Sequence, residues 1–89
     1  MKNKLVIITG ASSGIGKACA EKFAQEGANL VLAARSADKL KEVARNLARF
    51  SVQVLPVVTD VGIEEECKCL IKTAISKFGR IDVLVNNAG

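Results

Sequence analysis

Thr-Gly-Ala-Ser-Ser-Gly-Ile-Gly, at positions 9–16, is the stretch that decides the fold of this chain. It follows an apolar run at residues 5–8 that is typical of a buried strand. After it, apolar residues recur at a spacing that suits the inner face of a helix: Ile15, Ala18, Cys19 and Phe23. The sequence therefore predicts a strand, a glycine-rich turn and a helix.

The glycines of this turn suit a backbone that comes close to a phosphate. Gly10 and Gly14 allow a sharp turn without a Cβ atom, and Gly16 lets the helix lie close to the sheet. The helix start carries roughly half a positive charge, which favours a pyrophosphate. The candidate contact residues here are Gly10, Ser12, Ser13, Gly14, Ile15 and Gly16. The spacing is G-x-x-x-G-x-G, and an ordinary turn between a strand and a helix is the alternative.

Length and composition indicate a globular chain that forms one small domain or part of a larger one. Its 89 residues are 49% hydrophobic and 25% charged, and a chain of this size has a marginal core without a partner. The net charge of +4 comes from scattered basic residues, which indicates solvated faces. With three Phe and no Trp or Tyr, the chain lacks the stacking residues of single-strand nucleic-acid binders, so we expect no nucleic-acid partner.

Cysteine usage and hydropathy indicate a cytoplasmic protein. Three cysteines and no histidine make no zinc pattern, so no metal site is expected. Free thiols, buried or half-exposed, suit a reducing compartment, and Cys67 is expected on the apolar face of its helix. The apolar run before Thr9 is too short for a signal peptide, and no stretch is long enough to span a membrane.

Four strands and three helices are predicted to alternate along the chain. The strands are expected at residues 4–9, 29–34, 52–58 and 81–85. The first helix is expected to end near Glu26 with Gly27 as its cap, the second to run from a Ser36 cap to near Phe50, and the third to end at Gly79. The third helix has the clearest apolar stripe: Cys67, Leu70, Ile71, Ala74, Ile75 and Phe78.

The expected fold is an α/β doubly wound parallel sheet, Rossmann-like and partial, with strand order 3-2-1-4. Pro56 cannot donate to a ladder, which favours an edge position for strand three. Strand four is apolar throughout its centre and is expected to be buried on both faces. Strands one and four are neighbours in this order, so a ligand crevice is expected at their carboxyl ends.

Four motifs, each at the carboxyl end of a predicted strand, together resemble the short-chain dehydrogenase/reductase family. They are residues 9–16, Ala33-Ala34-Arg35, Asp60-Val61 and Asn86-Asn87-Ala88-Gly89, and the resemblance covers the whole chain. It implies that residues 1–89 are the N-terminal part of a single NAD(P)-binding Rossmann domain, with the catalytic half elsewhere. It also implies a homo-oligomeric full-length protein and no membrane partner.

The resemblance implies roles for the later motifs. Asp60 would hydrogen-bond the adenine amino group, and Val61 would offer its backbone and an apolar wall. Asn86 and Asn87 would hold the central sheet and the cofactor ribose, and Ala88 and Gly89 complete the motif as further cofactor-binding residues. Two plainer interpretations stay open. Asp60 could start a turn or cap the third helix, and Asn86 and Asn87 could satisfy backbone groups at a strand end.

The end of strand two predicts NADP as the cofactor. A site for NAD would hold an Asp or Glu about 20 residues past the glycines, where this chain has Ala34 and then Arg35. A guanidinium suits a 2′-phosphate, and the missing carboxylate removes a repulsion. NADP-preferring relatives often carry a second basic residue in the glycine turn, where this chain has Ser13, and Lys39 is the expected substitute. A surface Arg35 without a ligand is the alternative.

The family's catalysis resembles a proton relay of Ser, Tyr and Lys with a Tyr-x-x-x-Lys spacing, and this chain has no Tyr. No catalytic residue is therefore assigned, and the isolated chain is expected to be inactive. The favoured function is hydride transfer between a nicotinamide and a small carbonyl or alcohol substrate. The alternative is a free-standing nucleotide-binding or interaction module without catalysis.

Overall fold

A computed structural model of the chain describes residues 1–12 and 14–87. Within these ranges four strands alternate with three helices. The strands are β1 (Leu5–Thr9), β2 (Asn29–Ala34), β3 (Val54–Val58) and β4 (Val83–Val85). The helices are α1 (Gly14–Gln25), α2 (Ala37–Leu47) and α3 (Glu64–Phe78).

The strands form one parallel sheet in the order β3-β2-β1-β4, which confirms the predicted topology. β3 is an edge strand and contains Pro56, as expected. β1 lies between β2 and β4, so the chain passes from one side of β1 to the other between β3 and β4. The turns that leave β1, β2 and β3 therefore lie along one edge of the sheet, its carboxyl edge.

The two central strands are buried on both faces. Val6 and Ile8 of β1 pack with residues of α1 and α2, whereas Leu5 and Ile7 pack on the other side with Leu70 and Ala74 of α3. β1 is fully buried, and only Asn29 of β2 is half-buried. These apolar runs predicted burial on both faces correctly, because a parallel sheet covered by helices leaves neither face in water.

The inner face of α1 differs from the predicted one. Ile15, expected on this face, is 71% exposed, and Ala18 is exposed as well. The buried positions are Gly16, Ala20 and Ala24, four residues apart, with Cys19 and Phe23 packed beside them. Small side chains let the helix lie close to β1 and β2. The prediction was confirmed for Cys19 and Phe23 and was wrong for Ile15 and Ala18, because apolar spacing alone does not show which positions must allow a close approach.

Several elements are shorter than predicted because their terminal amides bond outside the regular pattern. α2 ends at Leu47, since Ala48 N–H bonds to Arg45 and Phe50 N–H bonds to Leu47 in tightened turns. β3 begins at Val54, since Gln53 N–H bonds to the side chain of Asn29 at 2.9 Å.

β4 does not have the expected burial. It covers Val83–Val85 only; Val83 and Val85 are half-buried, and Leu84 is 53% exposed. The prediction of a strand buried on both faces was therefore wrong for the described residues. The physical reason is position, because β4 pairs with β1 alone among the described strands and α3 packs chiefly over β1 and β2.

Helix ends mostly follow the predicted chemistry. Gly27 has a φ of 87° and follows α1, and Gly79 caps α3 with its N–H bonded to Ile75 O at 2.7 Å. Ser36 caps α2 through Lys39 N–H. On α3, Leu70 and Ala74 are buried as expected, but Ile75 is 50% exposed.

Cys19 and Cys67 are half-buried free thiols, and Cys69 is exposed, contrary to the expected burial. No helix in residues 1–12 and 14–87 combines the length and the apolar character needed to cross a membrane.

Candidate functional site

A cleft of about 510 Å³ lies along the carboxyl edge of the sheet. Its size falls within the range of small-molecule sites. The turns after β1, β2 and β3 and the segment after β4 all contribute to it. The lining residues are Gly10, Ser12, Ala34, Arg35, Ser36, Lys39, Thr59, Asp60, Val61 and Asn87.

The glycine turn has the geometry of a backbone that leaves room for a ligand. Gly10 and Gly14 have φ angles of 62° and 55°, which L side chains rarely adopt. A Cβ on Gly14 would meet nothing within 4 Å, so this side of the turn is open. A Cβ on Gly16 would collide with the carbonyl of Gly10 and lie 2.8 Å from the Asn87 side-chain nitrogen. Gly16 is therefore required by packing, whereas Gly14 faces open space.

Two cations stand at the end of β2 without a carboxylate partner. Arg35 and Lys39 are exposed and line the cleft, and neither makes an ion pair with any residue in the described ranges. Ser36 lies between them and caps α2, its hydroxyl oxygen accepting a hydrogen bond from Lys39 N–H at 3.4 Å. The start of α2 thus has one positive side chain just before it and another in its first turn, an arrangement that suits a phosphate.

The turn after β3 places a carboxylate in the same cleft. Thr59 is buried, and its N–H bonds to Ala34 O at 2.8 Å, which ties this turn to the end of β2. Asp60 accepts Gly62 N–H on Oδ1 at 2.9 Å. Its backbone N–H donates to Glu66 Oε1 of α3 at 2.8 Å. Asp60 therefore does start a turn, as the plainer interpretation held, and it lines the cleft as well.

The segment after β4 is bound to the glycine turn. Asn87 N–H donates to the Thr9 hydroxyl at 3.0 Å, and the Asn87 side chain donates to Gly10 O at 3.4 Å. The Thr9 hydroxyl also lies 3.2 Å from Asn86 Oδ1. These bonds fit the predicted role of holding the central sheet, and they fit equally the alternative that the side chains satisfy backbone groups at a strand end.

Half of the predicted site residues meet in one cleft: Gly10, Ser12, Arg35, Lys39, Asp60, Val61 and Asn87. Four others do not line it: Gly14, Ile15, Gly16 and Asn86. Ser13, Ala88 and Gly89 lie outside the described residues. Ser36 and Thr59 line the cleft although neither was predicted as a site residue, and their positions next to Arg35 and Asp60 in the sequence were the available signal.

The cleft fits an adenine dinucleotide on its own chemistry. It offers a glycine turn whose open side a Cβ on Gly14 would fill, two cations that pair with no carboxylate in the described part of the chain, and the carboxylate of Asp60. A ligand with a phosphate near β2 and a hydrogen-bond donor near β3 satisfies all of these groups. Residues 1–12 and 14–87 contain no cluster of three or more His, Cys, Asp or Glu side chains that could hold a metal ion.

Comparison with known proteins gives a family match over nearly the whole chain. The family model described as short chain dehydrogenase matches residues 4–89. An uncharacterized oxidoreductase of Listeria monocytogenes is 46% identical over 89 residues, which are 100% of this chain and 36% of that protein. The chain therefore spans about a third of the length of the curated relatives that it matches.

Solved structures give the same result. L-Sorbose reductase from Gluconobacter frateurii, complexed with NADPH and L-sorbose, superposes with a TM-score of 0.96 and 50% identity over 100% of this chain and 34% of that one. A metagenomic short-chain oxidoreductase in complex with NADP gives a TM-score of 0.95 with 35% identity, over 100% of this chain and 40% of that one.

Proposed function

Since the chain belongs to the short chain dehydrogenase family, we propose that it forms the cofactor-binding part of an NADP-dependent oxidoreductase. Residues 1–89 would be the N-terminal part of a single NAD(P)-binding domain. The whole protein would transfer a hydride between the nicotinamide and a small carbonyl or alcohol substrate. We further propose that it works in the cytoplasm as a homo-oligomer.

The NADP assignment depends on two cations, Arg35 directly after β2 and Lys39 in the first turn of α2, which form no ion pair with the described residues. Arg35 and Lys39 line the cleft, and Ala34 stands where an NAD site would carry an acid. A carboxylate there would accept hydrogen bonds from ribose hydroxyls, and it would repel a 2′-phosphate. The L-sorbose reductase and the metagenomic oxidoreductase, whose structures contain NADPH and NADP, support the proposal.

Each group in the cleft has a distinct part in binding. The turn from Gly10 to Gly14 would approach the pyrophosphate with its backbone amides. Arg35 and Lys39 would hold the 2′-phosphate, and Asp60 would accept a hydrogen bond from the adenine amino group. Asn87 would keep the glycine turn in register with the end of β4 through its bond to Gly10 O.

These residues would orient the cofactor, and they would not transfer a proton. When bound, NADPH supplies the hydride. The family's Tyr-x-x-x-Lys relay has no counterpart among the 89 residues, which contain no Tyr. On this proposal the isolated chain binds the cofactor weakly and reduces nothing, because orientation and acid catalysis each contribute large factors to rate.

The test is a reversal of coenzyme preference in the whole protein that contains residues 1–89. The wild type should bind NADPH more tightly than NADH, and Ala34→Asp with Arg35→Ala should reverse the order. Loss of a charge-assisted pair with phosphate should weaken NADPH binding roughly tenfold to a hundredfold. Fluorescence titration of both cofactors measures the two dissociation constants.

The matched control is Arg45→Ala, which removes the same charge from α2 at a position outside the cleft lining. It should leave the ratio of the two dissociation constants unchanged. Equal binding of NADH and NADPH by the wild type would contradict the assignment of Arg35 to a 2′-phosphate.

A further inference from the structure

Two residues in the first part of α3, Glu66 and Cys67, contact the turn that carries Asp60. Glu66 Oε1 accepts Asp60 N–H at 2.8 Å, and Cys67 Sγ donates to Val61 O at 3.3 Å. Both side chains are half-buried, and neither lines the cleft. The backbone of residues 60 and 61 is therefore bound on its N–H side by a carboxylate and on its C=O side by a thiol.

The hydrogen bond that Glu66 accepts from the Asp60 amide is not an ordinary helix cap. Ile63 is the N-cap of α3 and makes no side-chain cap hydrogen bond. The third helical residue of a capping box returns its side chain to the N-cap amide, whereas Glu66 passes over the N-cap to the amide of Asp60. Its carboxylate thus satisfies a turn residue rather than its own helix end.

One oxygen of the Asp60 carboxylate is occupied within its own turn. Oδ1 accepts Gly62 N–H at 2.9 Å, while Oδ2 makes no hydrogen bond within the described part of the chain. Asp60 lines the same cleft as Arg35, in the turn that follows β3, the strand next to β2. A dinucleotide whose 2′-phosphate lies at Arg35 has its base, attached to the same ribose, at this end of the cleft. One acceptor oxygen is therefore available to an exocyclic amino group.

We propose that Glu66 is a positioning residue for the base of the cofactor, acting through Asp60. The proposal rests on the proposed function, because it needs the base to lie beside Asp60. Glu66 binds the Asp60 amide and thereby keeps the side-chain rotamer in which Asp60 Oδ1 accepts the Gly62 N–H. In this rotamer Oδ2 points at the ligand. Loss of the Glu66 acceptor frees the turn and weakens the distinction between adenine and a base without an amino group.

The test compares two cofactors in the whole protein: NADPH and its hypoxanthine analogue, in which a carbonyl replaces the adenine amino group. The wild type should bind NADPH about tenfold more tightly than the analogue, since the analogue sets an oxygen against a carboxylate. In Glu66→Ala, binding of NADPH should weaken about fivefold to tenfold, and the ratio between the two cofactors should fall below about threefold.

Three further variants separate positioning from simple stability. Glu66→Gln keeps an oxygen acceptor and should restore the wild-type ratio. Glu66→Met keeps the side-chain length and the helix preference but has no carboxylate acceptor. It should therefore show the reduced preference for NADPH over the analogue even if Glu66→Ala does not fold. Glu65→Ala removes a neighbouring acid from the same helix turn, where Glu65 is exposed, and should leave both constants unchanged.

The outcomes distinguish this inference from the function on which it rests. If the wild type binds no NADPH, the proposed function fails and this inference fails with it. If the wild type binds NADPH and the Ala and Met variants keep its full preference for adenine, the positioning role alone is overturned. The ratio of NADPH to NADH affinity should not change in any Glu66 variant, because that ratio depends on Arg35.

Discussion

The two edges of the sheet use the same kinds of side chain in opposite ways. At the amino edge, Arg80 and Asp82 form a two-bond ion pair at 2.7 Å, and Asp82 also accepts Leu5 N–H at 2.8 Å. At the carboxyl edge, Arg35 and Lys39 have no carboxylate within ion-pair distance in the described ranges, although Asp60 lines the same cleft. The charged groups at the amino edge thus form an ion pair, whereas Arg35 and Lys39 at the carboxyl edge form none with the described residues.

The comparison suggests two uses of charge: the ion pair at the amino edge stabilises the fold, and the cations at the carboxyl edge are available to a ligand. The pair at the amino edge joins β1 to the start of β4, two strands that are distant in sequence. Hydrogen bonds from Arg80 and from the Leu5 amide lower the pKa of Asp82 below its usual range. On the proposed function, a carboxylate paired with Arg35 or Lys39 would have to be displaced before phosphate could bind, and residues 1–12 and 14–87 place no such ion pair there.

The largest expected effect comes from adding a Cβ atom at Gly16, a buried residue at the start of α1. In Gly16→Ala the new Cβ would collide with Gly10 O and approach the Asn87 side chain, and backbone must shift to relieve this. We expect a loss of about 3 kcal/mol in the free energy of unfolding, which is roughly 10 to 20 °C in melting temperature. Thermal unfolding followed by circular dichroism measures it.

Gly14→Ala is the matched control within the same turn. Its Cβ would enter open space, so only the left-handed backbone opposes it, at about 1 to 2 kcal/mol. Equal destabilisation by the two substitutions would show that the contact between Gly16 and Gly10 does not limit the packing of α1 on the sheet.

A smaller effect, with a defined pH dependence, is expected at the amino edge. Because the folded pKa of Asp82 is lowered from the usual 3.8, its carboxylate stabilises the fold above that pH. The contribution disappears as the pH falls from 3.8 through the lowered value. Asp82→Asn should therefore melt below the wild type at pH 7, and the gap should narrow as the pH falls below 3.8.

Glu42→Gln is the control for this pH dependence. Glu42 is exposed on α2 and makes no ion pair with the described residues. Its substitution should leave the melting temperature close to that of the wild type. A gap for Asp82→Asn that stayed constant from pH 7 to pH 2.5 would mean that the charge of Asp82 does not stabilise the fold.

Much of the fold could be predicted from the sequence because buried parallel strands and glycine turns leave clear patterns. The apolar runs at β1 and β2, the edge position of Pro56 and the strand order followed from local composition and general topology rules. The inner face of α1 could not be predicted from apolar spacing. A requirement for closeness selected Gly16, Ala20 and Ala24, which no hydropathy pattern singles out.

The candidate site was predictable where a charged residue lies one or two positions after a strand, as Arg35 and Asp60 do. Contacts between elements were not predictable. The hydrogen bond from the Asp60 amide to Glu66 depends on the angle at which α3 leaves its turn, and the lining role of Ser36 depends on where α2 begins. Neither the angle of α3 nor the exact start of α2 can be predicted from a single sequence.

The most direct test of the account is a calorimetric titration of NADPH into three forms of the whole protein: wild type, Arg35→Ala and Arg80→Ala. Both substitutions remove one arginine, at opposite edges of the sheet. Arg35→Ala should weaken NADPH binding roughly tenfold to a hundredfold and leave the melting temperature near that of the wild type. Arg80→Ala should lower the melting temperature and leave the NADPH dissociation constant unchanged. An equal loss of NADPH affinity in both variants, or none in Arg35→Ala, would contradict the division between the two edges.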